Sequence, residues 1–232
     1  MIKNIIKSTA LVSLLIGAVH AGEIEVKIVN NTGFNTFTPL LIATHTAEAK
    51  LFTANTQASL SLQKMAEGGD ISGLKTDLEA NGATIIENPA EGLLMAGKST
   101  ITTLTTDNTN QYLSVVAMIL PTNDGFIALN NWKVPTEKGV YKVNLNAHDA
   151  GTEGNDEIIN GGGAPDTAGI PADPSGNAGT GATGISNVSP EGFIHIHRGI
   201  LGDMNTTAGK SDLDATKHRW LNPIATAIIT VK

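Results

Sequence analysis

The sequence predicts an all-β fold, a single antiparallel sandwich with short helices in its connections. Three observations carry that expectation. Short apolar segments with a two-residue period recur along the chain, clusters of Asp, Asn, Gly and Pro separate them, and no regular alternation of strand and long helix is present. Strand-like segments also stand near both ends, so that first and last strands can lie side by side. A length of 232 residues with 41% hydrophobic and 16% charged content suits a packed chain and excludes a wholly disordered one or a coiled coil.

The first strand is expected over EIEVKIVN, Glu23 to Asn30, where Ile24, Val26 and Ile28 share one face. Asn30-Asn31-Thr32-Gly33 is turn chemistry, and PLLIAT from Pro39 to Thr44 reads as a second strand. Between Thr56 and Gly82 the period lengthens: Leu60, Leu62, Met65 and Ala66 mark one short helix, the pair Gly68-Gly69 ends it, and Asp70 caps a second carrying Ile71, Leu74 and Leu78. Further strands are expected at Ser99–Thr106, Tyr112–Leu120, Gly125–Val134 and Val140–Ala147. Residues 151–187 shift abruptly to Gly, Ala, Pro, Asp and Thr, a long loop region of the kind that is either functional or without fixed structure. Strands return over Gly192–Ile200 and Pro223–Val231.

Residues 1–21, MIKNIIKSTALVSLLIGAVHA, carry Lys3 and Lys7, an apolar run from Ala10 to Val19 and small residues near a cleavage point, the pattern of a secretory signal peptide. The run is shorter than the roughly 20 residues a membrane span needs. The expected folded domain is therefore residues 22–232, exported to the periplasm or the extracellular space. The whole chain has a net charge of -7, and loss of Lys3 and Lys7 makes it more acidic still. Without clustered Lys or Arg to displace counterions, nucleic acid is not an expected partner. Export normally permits disulfides, yet there is no cysteine, which also excludes thiolate metal sites and cysteine nucleophiles.

The loop DAGTEGNDE places Asp149, Glu153, Asp156 and Glu157 in one turn-rich stretch that glycines at 151 and 154 allow to fold sharply. Calcium takes six to eight oxygens, which such carboxylates and intervening carbonyls supply. Asp124, in the turn PTNDG, follows a neighbouring strand and converges with Asp149 if both loops share one end of the sandwich. Bound calcium and a solvated acidic loop both fit this spacing. The EF-hand pattern fails because Gly151 and Asn160 stand at its third and twelfth positions. GNDEIINGGGAPD is a single, out-of-register relative of the calcium β-helix repeat and cannot stack. His195 and His197 alternate on a strand, a spacing that binds a transition metal if His45, His148 or His218 approaches and otherwise lines a polar sheet face. No GxSxG, HExxH or phosphate-loop pattern occurs, so nothing demands an enzyme.

With these residues in view, the chain resembles the spondin N-terminal domain, from about Val26 to its C-terminus. The resemblance rests on an ordered series: FTPLLIATH, ASLSLQKMAEGGD, LSVVAMILPTND, HDAGTEGND and NPIATAIITV, with FIHIHRGI and DLDATKHRWLNP similar to bacterial members. It implies an eight-stranded antiparallel β-sandwich with one Ca2+ at a loop end, held by Asp124, Asp149 and Glu153 with the Gly151 carbonyl contributing; Asp156 is a further candidate. Two positions depart from the family pattern: Glu153 stands where Asp is usual, and Gly125 where a Trp commonly follows the turn aspartate. The expected function is a non-enzymatic, calcium-binding recognition or adhesion module for an extracellular protein or glycan. A metal-dependent enzyme or redox protein using His195 and His197, and calcium-dependent attachment to a membrane surface, are the alternatives.

Overall fold

The computed structural model describes residues 22–160, 165–176, 179, 188–205 and 207–232. The expected signal segment, 1–21, lies outside them, as does part of the glycine-rich region.

Ten antiparallel strands and two short helices follow one another in the order β1 (Gly22–Asn30), β2 (Thr36–Phe37), β3 (Leu41–His45), α1 (Leu60–Gly68), α2 (Ser72–Glu79), β4 (Thr84–Glu87), β5 (Ser99–Thr106), β6 (Tyr112–Leu120), β7 (Gly125–Lys133), β8 (Gly139–Asp149), β9 (His195–Ile196) and β10 (Ala225–Val231). Eight of the strands form one continuous path, β4-β3-β6-β7-β8-β10-β1-β5, and the two-residue strands β2 and β9 attach to β6 and β8. The all-β antiparallel fold is as the sequence predicts, and β1 and β10 pair from Ile24↔Val231 to Asn30↔Ala225. The sheet nearly closes on itself, because Thr44 Oγ1 on β3 donates to the Thr105 carbonyl on β5 at 2.7 Å.

β8 is where the path turns. Its first part, Gly139–Leu145, pairs with β10, and its last residues, Asn146–Asp149, pair with β7. An eleven-residue strand can do this because its two halves follow the twist into different neighbours. Leu145 and Ala147 face inward with Ile24, Val26, Ile28, Ile127, Leu129, Ala227 and Ile229 to form the main core.

A second apolar layer lies on the other face of β3, β6 and β7. There Leu62, Met65 and Ala66 of α1 and Leu74 and Leu78 of α2 pack on Leu41, Val116, Met118 and Phe126. This double cover explains why β6 is a near-continuous apolar run whereas β1 alternates. Ser59 caps α1 by accepting from Leu62 N at 3.2 Å, and Gly69 ends it at φ 73°. Asp70 Oδ1 accepts from Ser72 N at 2.9 Å in the turn that leads into α2, one residue before the N-cap, which is Ile71 and not the Asp70 expected from the sequence.

The sequence reading differs from the structure in three further places. β2 and β4 were not foreseen; both are short, with two and four residues, too few to display a period. The strand expected over 192–200 pairs only at His195–Ile196, because Gly199 adopts φ 98° and the Asn222 side chain takes the His197 carbonyl. The described part of the glycine-rich region is anchored: Ile170 is buried with Ile200 and Leu213, and Glu157 accepts from Leu201 N, Gly202 N and Ser211 Oγ.

Truncating Met65, fully buried between helix and sheet, tests the second layer. Met65→Ala is expected to lower unfolding free energy by about 2–5 kcal/mol, read as a fall in the urea midpoint with an unchanged slope.

Candidate metal centre

The inner face of the sheet changes chemistry at one end. Along β8 the inward positions run Leu145, Ala147, Asp149, so the alternation that builds the core ends on a carboxylate. Across the ladder Gly125 lies opposite Asp149 on one side and His195 lies opposite it on the other. Directly opposed residues share a face, so Gly125, Asp149 and His195 form one row. Gly125 is there for space: a Cβ would stand 2.7 Å from Thr122 Oγ1 and 3.0 Å from His197 Cδ2. His197 thus fills the volume that a side chain at 125 would need.

Asp124 and Asp149 are brought together as the sequence suggests, and both are buried. Asp124 Oδ2 accepts from Thr152 N at 2.7 Å and Glu153 N at 3.0 Å, so the loop after β8 wraps its amides around that oxygen. Asp124 Oδ1 is buried and has no hydrogen-bond partner. Burial, then the neighbouring Asp149 charge, pushes the Asp124 carboxyl well above the usual range. Asp149 accepts from Gly151 N at 2.8 Å and from Asn155 Nδ2 at 2.8 Å. The ion pairs among the described residues join Lys75 to Glu79 and Glu87, Lys217 to Asp214, His218 to Asp173 and Lys232 to Glu23 and Glu25. None of them reaches Asp124 or Asp149.

Glu153 turns its side chain in another direction. Oε2 accepts from Gly169 N at 2.9 Å and Asn123 Nδ2 at 3.3 Å, while Oε1 is buried without a partner. Burial pushes its carboxyl up to about 7, and the carboxylates of Glu67 and Asp156 add to the rise. Glu67, on α1, is itself buried and raised by burial. No pattern in the sequence connects Glu67 with the loop that begins at Gly151, 84 residues further on; its place follows only from α1 packing on β6 and β7. Asp156 Oδ1 accepts from Asn123 Nδ2 at 2.9 Å and Ile158 N at 3.1 Å, which fixes the turn.

Gly151, φ 67°, marks a tight approach in the site. A Cβ there would stand 2.3 Å from the Phe193 carbonyl oxygen and 2.6 Å from its nitrogen. Its own carbonyl accepts from Gly192 N at 2.9 Å. This approach draws the segment 191–195 over the end of β8. Among the described residues, Asp149, Glu191 and His195 are three groups with ligand atoms all within 4.8 Å of one another. Asp124 and Glu153 are not members of that trio, and Glu191 had not been singled out from the sequence: it stands alone in SPEGF with no neighbouring carboxylate.

The two histidines differ in their hydrogen bonds. His195 Nδ1 lies 3.1 Å from the Ile196 carbonyl oxygen and must donate to it, which leaves a lone pair on Nε2. His197 Nδ1 accepts from Gly199 N at 3.0 Å, which places the proton of the neutral ring on Nε2, a buried atom without a partner. Burial lowers the His197 pKa to about 4, so the ring is neutral at physiological pH. The other histidines have their own surroundings: His45 bonds Thr46 O and Ser114 Oγ, His148 packs between Phe52 and Phe126, and His218 bonds Asp214 N and Ser175 Oγ.

The family model of the spondin N-terminal domain (Spondin_N) matches residues 30–157, more than half of the chain. The chain belongs to the spondin N-terminal family. No curated protein matches it. Spondin domains occur in extracellular proteins and are generally non-enzymatic modules. The matched residues of this spondin domain include Asp124, Asp149, Gly151, Glu153 and Asp156, and stop short of Glu191 and His195. Among the described residues no helix is long and apolar enough to cross a membrane.

Two outcomes test this geometry. Gly151→Ala forces a side chain into the Phe193 backbone at a positive φ; it is expected to destabilise the fold by more than about 1 kcal/mol and to quicken amide exchange at Gly192 and Ile194. In EDTA, thermal stability is expected to fall as pH rises from 5 to 8. A carboxyl whose folded pKa exceeds its unfolded value stabilises below the unfolded value, 4.5 for Glu153, and loses that contribution as pH climbs through the folded value, about 7. Glu153→Gln is expected to flatten that slope.

Proposed function

We propose that this spondin domain is an exported, non-enzymatic recognition or adhesion module whose loop end is braced by Ca2+. Asp124 and Asp149 are the proposed ligands, with the Gly151 carbonyl supplying a further oxygen; Glu153 joins them by swinging its carboxylate away from Asn123 and Gly169. The observation that carries the reading is Asp124 Oδ1: a fully buried carboxylate oxygen beside a second buried carboxylate, with no hydrogen-bond partner and no basic side chain in contact among the described residues. Two such groups are costly together unless a proton or a cation lies between them. The donor set is all oxygen, which suits calcium, and Glu153 Oε1 is another buried oxygen without a partner. Calcium supplies positive charge that neutralises these carboxylates and ties the turn after β6 to the loop after β8.

A braced loop end also suits recognition. Phe193, Ile196, Leu201 and Leu221 are large apolar residues exposed on the segments around β9 and before β10. Rigid loops present such side chains at a lower entropic cost than mobile ones. The proposed partner is an extracellular protein or glycan, met in the periplasm or outside the cell.

Calcium is expected to raise the thermal midpoint of residues 22–232 in EDTA-treated protein, by an amount set by RT ln(1 + [L]/Kd), about 2.7 kcal/mol at one hundred times Kd. Magnesium, which demands a tighter octahedron, is expected to do so weakly. Asp124→Asn is expected to abolish the calcium shift; an unchanged shift in that variant would remove the assignment.

A further inference from the structure

We infer that Asp149, Glu191 and His195 form a second cation position, selective for a divalent transition ion such as Zn2+. The position shares Asp149 with the proposed calcium site but draws its selectivity from residues outside the family match.

The trio is assembled by three separate constraints. β8 delivers Asp149 at the end of its inward alternation, β9 pairs His195 directly opposite it, and the tight passage of residues 192–193 over Gly151 sets Glu191 beside both. All three ligand atoms lie within 4.8 Å of one another. Two metal–ligand bonds of about 2.1 Å span at most about 4.2 Å. At the outer limit of that spacing the exposed Glu191 side chain closes the difference by rotation.

The imidazole decides the class of ion. His195 Nδ1 donates to the Ile196 carbonyl, so Nε2 is the lone-pair nitrogen. A backbone carbonyl on the far nitrogen is the arrangement that holds a ligating histidine in one tautomer and raises its basicity. Calcium takes oxygen ligands, whereas one imidazole with two carboxylates suits zinc and its first-row neighbours. His197, with its proton on Nε2, is a donor and does not ligate through that atom. Its Nε2 is buried without a hydrogen-bond partner, and the ring is close enough to Asp149 and His195 for their charges to act on it. That makes it a hydrogen-bond donor toward the ligands or toward water on the ion. Asp124 Oδ1 is another buried, unpartnered polar atom beside Asp149. His195 is half-buried and Glu191 exposed, so an ion held by them faces solvent on one side and keeps coordination positions open to an oxygen from outside the protein.

The test is a Zn2+ titration by calorimetry on EDTA-treated protein, residues 22–232, beside the calcium-dependent thermal shift. Nitrogen-15 spectra of the histidine rings identify the ligand. Wild type is expected to bind one Zn2+ with a large shift of His195 Nε2. His195→Ala and Glu191→Gln are each expected to weaken zinc binding by at least tenfold while keeping the calcium shift, since both positions are outside the core. Asp124→Asn is expected to lose the calcium shift and keep zinc. Zinc affinity unchanged in His195→Ala, or a Zn2+-induced shift confined to other histidines, overturns the inference. Absence of a calcium shift in wild type overturns the calcium reading alone and leaves the zinc result standing.

Discussion

Two carboxylates buried side by side, with no basic partner among the described residues, constrain everything around them. Asp124 and Asp149 sit at the end of the inner sheet face, where each would lose hydration with no ion pair to replace it. The protein meets part of that cost with backbone. Thr152 and Glu153 amides turn onto Asp124, the Gly151 amide turns onto Asp149, and Asn155 completes the second carboxylate. The loop after β8 therefore has its shape because it solvates acids, and the burial of Asp124 Oδ1 without a partner marks where that solvation is incomplete.

The surrounding architecture serves the same end. β8 changes partners from β10 to β7 partway along, which places its last inward residue at a point where β7, β9 and the returning segment meet. Gly125 and Gly151 are both tied to this convergence: one vacates space for His197, the other lets the Phe193 backbone cross. The helices contribute from the opposite side by burying Phe126 and Met118, which keeps β6 and β7, and hence the Asp124 turn, in place.

A spondin domain with this arrangement joins rigidity to an open edge. Its acids, its half-buried His195 and its exposed Glu191 lie in one row or next to it, and exposed apolar side chains flank β9. The loops that hold the carboxylates also carry or contact the segment 191–197, so the proposed cation positions and the proposed partner surface share one frame.

The sequence by itself determined the strands of the continuous path that are long enough to show a period, the two helices with the Gly68-Gly69 break between them, and the pairing of the terminal strands. Alternation and turn chemistry are local, so they survive in a linear reading. It also singled out Asp124, Asp149 and Glu153 as the acids of interest. What tertiary structure alone decided is how those acids divide. Asp124 and Asp149 meet, Glu153 turns toward Asn123 and Gly169, and Glu191, distant in sequence and without a motif, arrives beside Asp149. The two histidines read as an equivalent pair because their spacing is symmetrical. Their hydrogen bonds are not: one ring nitrogen meets a carbonyl, the other an amide. That difference depends on the backbone turn at Gly199, which no periodicity encodes, and it decides which of them has a lone pair to offer.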